Sequence, residues 1–200
     1  QAERQYTDAK AEELLKFIYK IQMDFNDFKI IVFTEFIATQ DFLKEYLETN
    51  GFKVVVLNGS MSIDERNSVL REFKENADIL VSTDAGGEGL NLQFSNIVIN
   101  YDLPWNPMKI EQRIGRVDRI GQTRDVYVFN FMLSGTVECR IKEVLEEKLR
   151  IILEQFGVDK MEDVLDSAQA EIDFTDLYMK GISNPKNVDY YIDRLDEDMR

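Results

Sequence analysis

The chain has 200 residues, 44% hydrophobic and 11% aromatic, which fits one domain of ordinary size, with or without a helical appendage, and excludes a disordered chain. There is no histidine and a single cysteine, Cys139, so histidine-based general base catalysis, Ser-His-Asp triads, histidine-ligated zinc and an intrachain disulfide are excluded. A formal net charge of −14 opposes phosphate binding by the surface as a whole, so any such site must sit where positive charge is gathered locally.

The opening Gln1-Ala2-Glu3-Arg4 is neither a signal peptide nor an initiator-methionine start, as expected of a piece cut from a larger protein. From Thr7 to Phe28, apolar residues recur at Leu14, Leu15, Ile18, Ile21 and Phe25, the spacing of an amphipathic helix. Lys29 to Thr34 is a short β-branched run that predicts a buried strand. Helical spacing returns over Ala38 to Asn50, closed by Gly51. Lys53 to Leu57 predicts a second strand, and Ser62-Ile63-Asp64-Glu65 is a capping box, with Met61 placed as the apolar staple of a helix reaching Asn76. Asp78 to Ser82, Asn96 to Asn100 and Val126 to Phe131 predict further strands. Asn106-Pro107 supplies an N-cap and a proline at the first helical position, opening a helix through Asp118.

Beyond these the spacing predicts a long amphipathic helix over Thr136 to Phe156, stopped by Gly157. Short acidic helical pieces carrying Phe174, Tyr178, Tyr190 and Tyr191 follow it. From Thr136 onward there are 17 acidic residues against 9 basic, whereas Pro104 to Arg124 holds 5 basic against 2 acidic. The acidic part reads as solvated helix faces. No run reaches the roughly 18–20 apolar residues of a membrane helix, so no membrane partner is expected. Strand alternating with helix on short connections predicts an α/β fold, a doubly wound parallel sheet flanked by helices. The expected division is an N-terminal helix or linker over 1–28, the sheet domain over 29–157, and an acidic helical extension over 158–200. Such sheets bind ligands at the carboxyl ends of their strands, where Thr34, Gly59 and the glycine cluster after Ser82 fall.

Three segments carry chemistry. The first is Gln112-Arg113-Ile114-Gly115-Arg116-Val117-Asp118-Arg119-Ile120-Gly121-Gln122. On a continuous helix Gln112, Arg116 and Arg119 lie within about 60° of one another, with Ile110, Ile114 and Val117 opposite. Such an arginine face is either an ordinary solvated surface or a device for stabilising charge on a transferring phosphoryl group. The second is Ser82-Thr83-Asp84-Ala85-Gly86-Gly87-Glu88-Gly89, directly after a strand. Its glycines form either a simple tight turn or a loop whose positive φ values aim backbone N–H groups at an anion. Ser82 and Thr83 add hydroxyls suited to a nucleic-acid phosphate. The third is Tyr101-Asp102-Leu103-Pro104-Trp105-Asn106-Pro107. Its tryptophan either covers the core or packs on a base or sugar.

Taken in order, Phe33-Thr34-Glu35-Phe36, Asn58-Gly59-Ser60, the glycine loop, the Asp-x-x-Trp-Asn-Pro step and the arginine segment resemble the second RecA-like lobe of superfamily 2 helicases, and within it the Swi/Snf family of ATP-dependent DNA translocases. The resemblance covers Lys29 to Phe131. It implies a RecA-like fold, with Arg116 and Arg119 as arginine fingers and Gln112 near the triphosphate. Asp84, Gly87 and Gly89 would approach the nucleotide, while Thr34, Gly59, Ser82, Thr83 and Trp105 would contact nucleic acid. It implies ATP and Mg2+, bound mainly by a first lobe that in the family precedes this one, with residues 1–28 as the helix or linker from it, since no Gly-x-x-x-x-Gly-Lys-Ser/Thr loop occurs here. The chain alone would then be inactive. The partners implied are that first lobe, duplex DNA and a DNA-bound protein complex, in the cytoplasm of a prokaryote or the nucleus of a eukaryote. The compact lobe and short acidic helices favour a bacterial or archaeal member. An RNA helicase lobe, a restriction-type motor, a non-catalytic module of the same fold and an unrelated α/β ligand-binding domain are the competing expectations.

Overall fold

The structure, a computed structural model, describes residues 2–25, 28–87, 90–104 and 107–132. Five short runs rich in β-branched or aromatic residues form the strands β1 (Ile30–Phe33), β2 (Val54–Leu57), β3 (Ile79–Ser82), β4 (Ile97–Asn100) and β5 (Tyr127–Asn130). They make one sheet in the order β2-β3-β1-β4-β5, parallel at every pairing. β1, β3 and β4 are buried along their whole length. Their apolar residues run continuously instead of alternating because both faces of the sheet are covered.

On one face, α1 (Ala2–Asp24) and α2 (Ile37–Thr49) bury Leu14, Ile18, Leu43 and Leu47 against Ile30, Val32, Ile79, Val81, Ile97 and Ile99. On the other, α3 (Ile63–Glu75) brings Phe73 to Ile31, Phe33, Leu80 and Val98, joined by Leu92 and Val117. The doubly wound α/β expectation holds. α1 contributes Leu14 and Ile18, both fully buried, to the same core as the sheet. It is also tied by the Tyr19 hydroxyl, which donates to the Asn50 carbonyl at 3.2 Å. Gly51 ends α2 at φ +91°, the left-handed conformation expected of it.

The capping box forms as read. Ser62 Oγ accepts from the Glu65 N–H at 3.4 Å, and the Glu65 carboxylate accepts from the Ser62 N–H at 2.7 Å. The Ser62 N–H, and after it the Ser62 hydroxyl at 2.8 Å, donate to the Glu65 carboxylate and hold it below its ordinary pKa. The apolar staple does not form. The residue one turn into α3 is Arg66, which donates to the carbonyls of Met61 and Gly59, each at 3.1 Å, while Met61 packs on the core.

The arginine helix is shorter than expected. α5 spans Pro107–Ile114, and its last bonds tighten, with the Val117 N–H reaching the Ile114 carbonyl at 2.9 Å. In a continuing helix the Arg116 carbonyl would accept from residue 120. Instead it accepts from the Leu92 N–H at 3.0 Å, and Val117 enters the core. The helical face that was to align Gln112, Arg116 and Arg119 therefore ends at Ile114.

Residues 1–103 with 111–131 form one unit. A second comprises 104–110 and 132–200, of which Pro104, Pro107–Ile110 and Met132 are described. The expected Asn106 cap, the helix over 136–156 and the extension beyond Gly157 lie outside the described residues.

Candidate functional site

Parallel register places Leu57, Ser82, Phe33, Asn100 and Asn130 in one row at the carboxyl ends of the strands. The chain crosses from β3 over β1 to β4 there, which is the switch point where such sheets open a crevice. The residue filling it is Arg113, to which the sequence pattern assigned no role. It is 1% exposed. Its Nε and Nη2 donate to the two carboxylate oxygens of Asp84 at 2.6 and 2.9 Å. Its Nη1 donates to Asn100 Oδ1 at 2.9 Å and to the Asp102 carbonyl at 3.0 Å. The guanidinium lies 5.1 Å over the Phe33 ring. The planar fork suits this bidentate pairing, and burial of the charge is tolerable only because every face is partnered. Its signal is an arginine one residue before Ile114 on the inward side of α5, while the acid it pairs with, Asp84, lies 29 residues away in sequence.

Asp84 opens α4 (Asp84–Gly87), a single helical turn. Gly86 and Gly87 do not adopt the positive φ of an anion-cradling loop, which leaves the tight-turn alternative for the described part of the cluster. Among the described residues only Gly51 and Gly121 have positive φ. Gly86 is required for close approach, because a Cβ there would meet the Leu57 carbonyl oxygen at 2.4 Å and Asn58 Cα at 2.6 Å. Gly59 answers from the other side, where a Cβ would come within 2.9 Å of the Ala85 Cβ. The loop after β2 and the glycine turn after β3 are therefore packed backbone to backbone. Gln40, fully buried, fixes the same corner by donating to the Leu57 and Val81 carbonyls, each at 2.9 Å, and accepting from Asn58.

The hydroxyls near this corner are engaged inward. Thr34 is buried and donates to the Asp102 carboxylate. Ser82 donates to the Thr83 carbonyl at 2.9 Å, and Thr83 Oγ1 accepts from the Gly86 N–H at 3.3 Å. Gly59 is exposed. Gly87 is buried, and its carbonyl accepts from Arg116 Nη1. Gly89 and Trp105 lie outside the described residues.

After α5 the chain makes a turn that is clamped on both sides. Gln122 Nε2 donates to the Gln93 and Ser95 carbonyls at 2.9 and 3.1 Å, while its Oε1 accepts from the Thr123 N–H at 3.0 Å. Gln93 returns a bond to the Ile120 carbonyl at 3.0 Å. Gly121, at φ +103°, allows the reversal. The Gly-Gln ending of the motif is thus a latch, a function the sequence reading did not assign. The turn holds Arg116 half-buried against the glycine turn and Arg119 exposed, with Gln112 exposed on α5. Among the described residues no partner holds the Arg119 guanidinium, and no group of three or more His, Cys, Asp or Glu side chains gathers to hold a metal. Asp84 is paired with Arg113 and Asp102 with Lys10, and the exposed Arg119 guanidinium is a group suited to an anion.

Residues 9–121 match the helicase conserved C-terminal domain. The ATP-dependent helicase YqhH of Bacillus subtilis, itself uncharacterized, is 41% identical over 81% of this chain, which spans 28% of that protein. The DNA repair protein RAD5B of Arabidopsis thaliana is 39% identical over 72% of the chain, which spans 12% of it. The C-terminal part of the Fun30 ATPase domain superposes with a TM-score of 0.63 at 30% identity, covering 67% of this chain and 44% of that one. The chain thus spans 28% or less of the length of these curated relatives. It belongs to the helicase conserved C-terminal domain family, and within it to the Swi/Snf-type ATP-dependent helicases.

Proposed function

We propose that this chain is the second motor lobe of an ATP-dependent duplex-DNA translocase, working with a first lobe that carries the phosphate-binding loop. The observation that carries the reading is the latched turn, which sets Arg116 against the glycine turn and leaves Arg119 exposed with its charge unspent. ATP, held with Mg2+ mainly by the first lobe, would supply the hydrolysable triphosphate. Arg119 and Arg116 then stabilise the charge that develops on the transferred phosphoryl group, with Gln112 beside them. The Arg113–Asp84 pair keeps the two segments in register, so that the arginines arrive together with Gly87 and Gly89. Asp84 acts here as an anchor, since both of its carboxylate oxygens accept from Arg113.

Gly59 and Trp105 are proposed to meet the DNA backbone. Thr34, Ser82 and Thr83 are bonded inward, and would contact DNA themselves only through a local change at the strand ends. A DNA-bound protein complex is the proposed object moved. Alone, the chain lacks the other half of the ATP site and would be inactive.

The test is ATP turnover by the two-lobe protein with duplex DNA, single-stranded DNA or RNA. Strong stimulation by duplex DNA supports the reading. Stimulation by RNA alone moves the protein to the helicase class, and no turnover with any polymer leaves a binding module.

A further inference from the structure

The geometry points to Lys10, in α1, as a positioning residue that couples the N-terminal helix to the arginine segment. The inference rests on the motor reading above. Lys10 Nζ lies 3.3 Å from Asp102 Oδ1, between residues 92 positions apart, with side chains only 14% and 21% exposed. The same ammonium sits 4.5 Å over the Tyr101 ring. Asp102 is where several elements meet. Its other carboxylate oxygen accepts from the Thr34 hydroxyl at the end of β1. Its carbonyl accepts from Arg113 Nη1 at 3.0 Å, and its N–H reaches the Phe33 carbonyl at 3.4 Å. Arg113 in turn holds Asp84 and the glycine turn. Lys10 is therefore three bonded contacts from Asp84, by way of Asp102 and Arg113, and Asp102 stands three residues before Trp105.

Attachment of α1 does not need this ion pair. Ala11, Leu14, Ile18 and Ile21 already bury the helix in the core. What a half-desolvated lysine adds is a directional hold on one carboxylate, stronger than an exposed pair would give. A shift of α1 is passed to Asp102, and from there to Arg113. In a two-lobe motor, α1 is the described element nearest in sequence to the first lobe, so this pair links lobe movement to the second half of the ATP site.

The experiment measures ATP turnover of the two-lobe protein over rising duplex DNA for wild type, Lys10→Met, Lys10→Gln and Lys10→Arg. We expect Lys10→Met to keep DNA-free turnover while its maximal duplex stimulation falls about tenfold, the size of an ordinary coupling between sites. Lys10→Arg, which keeps the charge, should restore most of the stimulation. Wild-type stimulation in Lys10→Met overturns the inference and leaves the motor reading intact. Should Lys10→Met lose DNA-free turnover as well, Lys10→Gln decides. Equal loss of both activities in Lys10→Gln, without rescue by Lys10→Arg, marks a merely structural contact and also overturns it. Absence of duplex stimulation in the wild type defeats the motor reading, and this inference with it.

Discussion

Arg113 and Arg119 belong to one short motif and end in opposite surroundings. The first closes α5 inside the molecule, with its guanidinium divided among Asp84, Asn100 and Asp102. The second rides a turn held from behind by Gln122 and remains in solvent. Between them, Arg116 leans on the Gly87 carbonyl. The same side chain is thus used once as an internal strut and once as an outward charge. What separates the two is the break at Ile114, where the Arg116 carbonyl turns to Leu92 and the helix stops. A strut should matter to folding, and an outward charge should matter to turnover.

The sharpest way to break this contrast is Arg119→Ala. ATP turnover by the two-lobe protein should fall roughly 10³-fold, while the denaturation midpoint of this lobe stays where it was, as for most exposed substitutions. Near-normal turnover would end the finger assignment. Arg113→Met should do the reverse first. It strands the Asp84 carboxylate and the Asn100 amide oxygen, costing about 3–5 kcal/mol in urea denaturation. A cost below about 1 kcal/mol would mean that the buried fork is not a strut.

Gln122→Ala removes the latch and should cost about 1–3 kcal/mol, as expected for carbonyls left without donors. It should also lower turnover while Arg119 itself is intact, because the turn that carries the arginine is freed. An unchanged turnover would show that the turn holds its shape without the latch.

The smallest effect expected is a dependence on pH far from the site. The Glu65 carboxyl has a lowered pKa because it accepts from the Ser62 N–H and hydroxyl. Its contribution to stability is therefore present above its unfolded pKa, and is lost as pH falls through the lower folded value. In Glu65→Gln, the difference in urea midpoint from wild type should be seen near neutrality and should vanish in acid. A difference that persists in acid would refute the assignment.

The strands and the helices α2 and α3 were readable because each depends on local order. β-branched runs predict Ile30–Phe33 and Ile79–Ser82, and the Ser62–Glu65 box predicts the start of α3. For the glycine turn the sequence leaves two alternatives open, since positive φ and close packing both call for glycine. Only the approach of the Leu57 carbonyl oxygen to Gly86 shows which applied. α5 was overextended because its periodicity continues through Val117, although the backbone bonds change partners at Arg116. Arg113 went unassigned because its acid, Asp84, lies 29 residues away.

By itself the sequence determined the alternation of strand and helix, the motif order that marks the family, and the positions of the arginines. These follow from periodicity and from residue types whose chemistry does not depend on neighbours distant in the chain. The tertiary structure alone decided which arginine is buried, where the helix carrying them ends, and that α1 reaches the site through Lys10 and Asp102. Those outcomes depend on which carbonyl or carboxylate from a remote strand end is within hydrogen-bonding reach, and a parallel sheet brings such ends together only after the crossovers have closed.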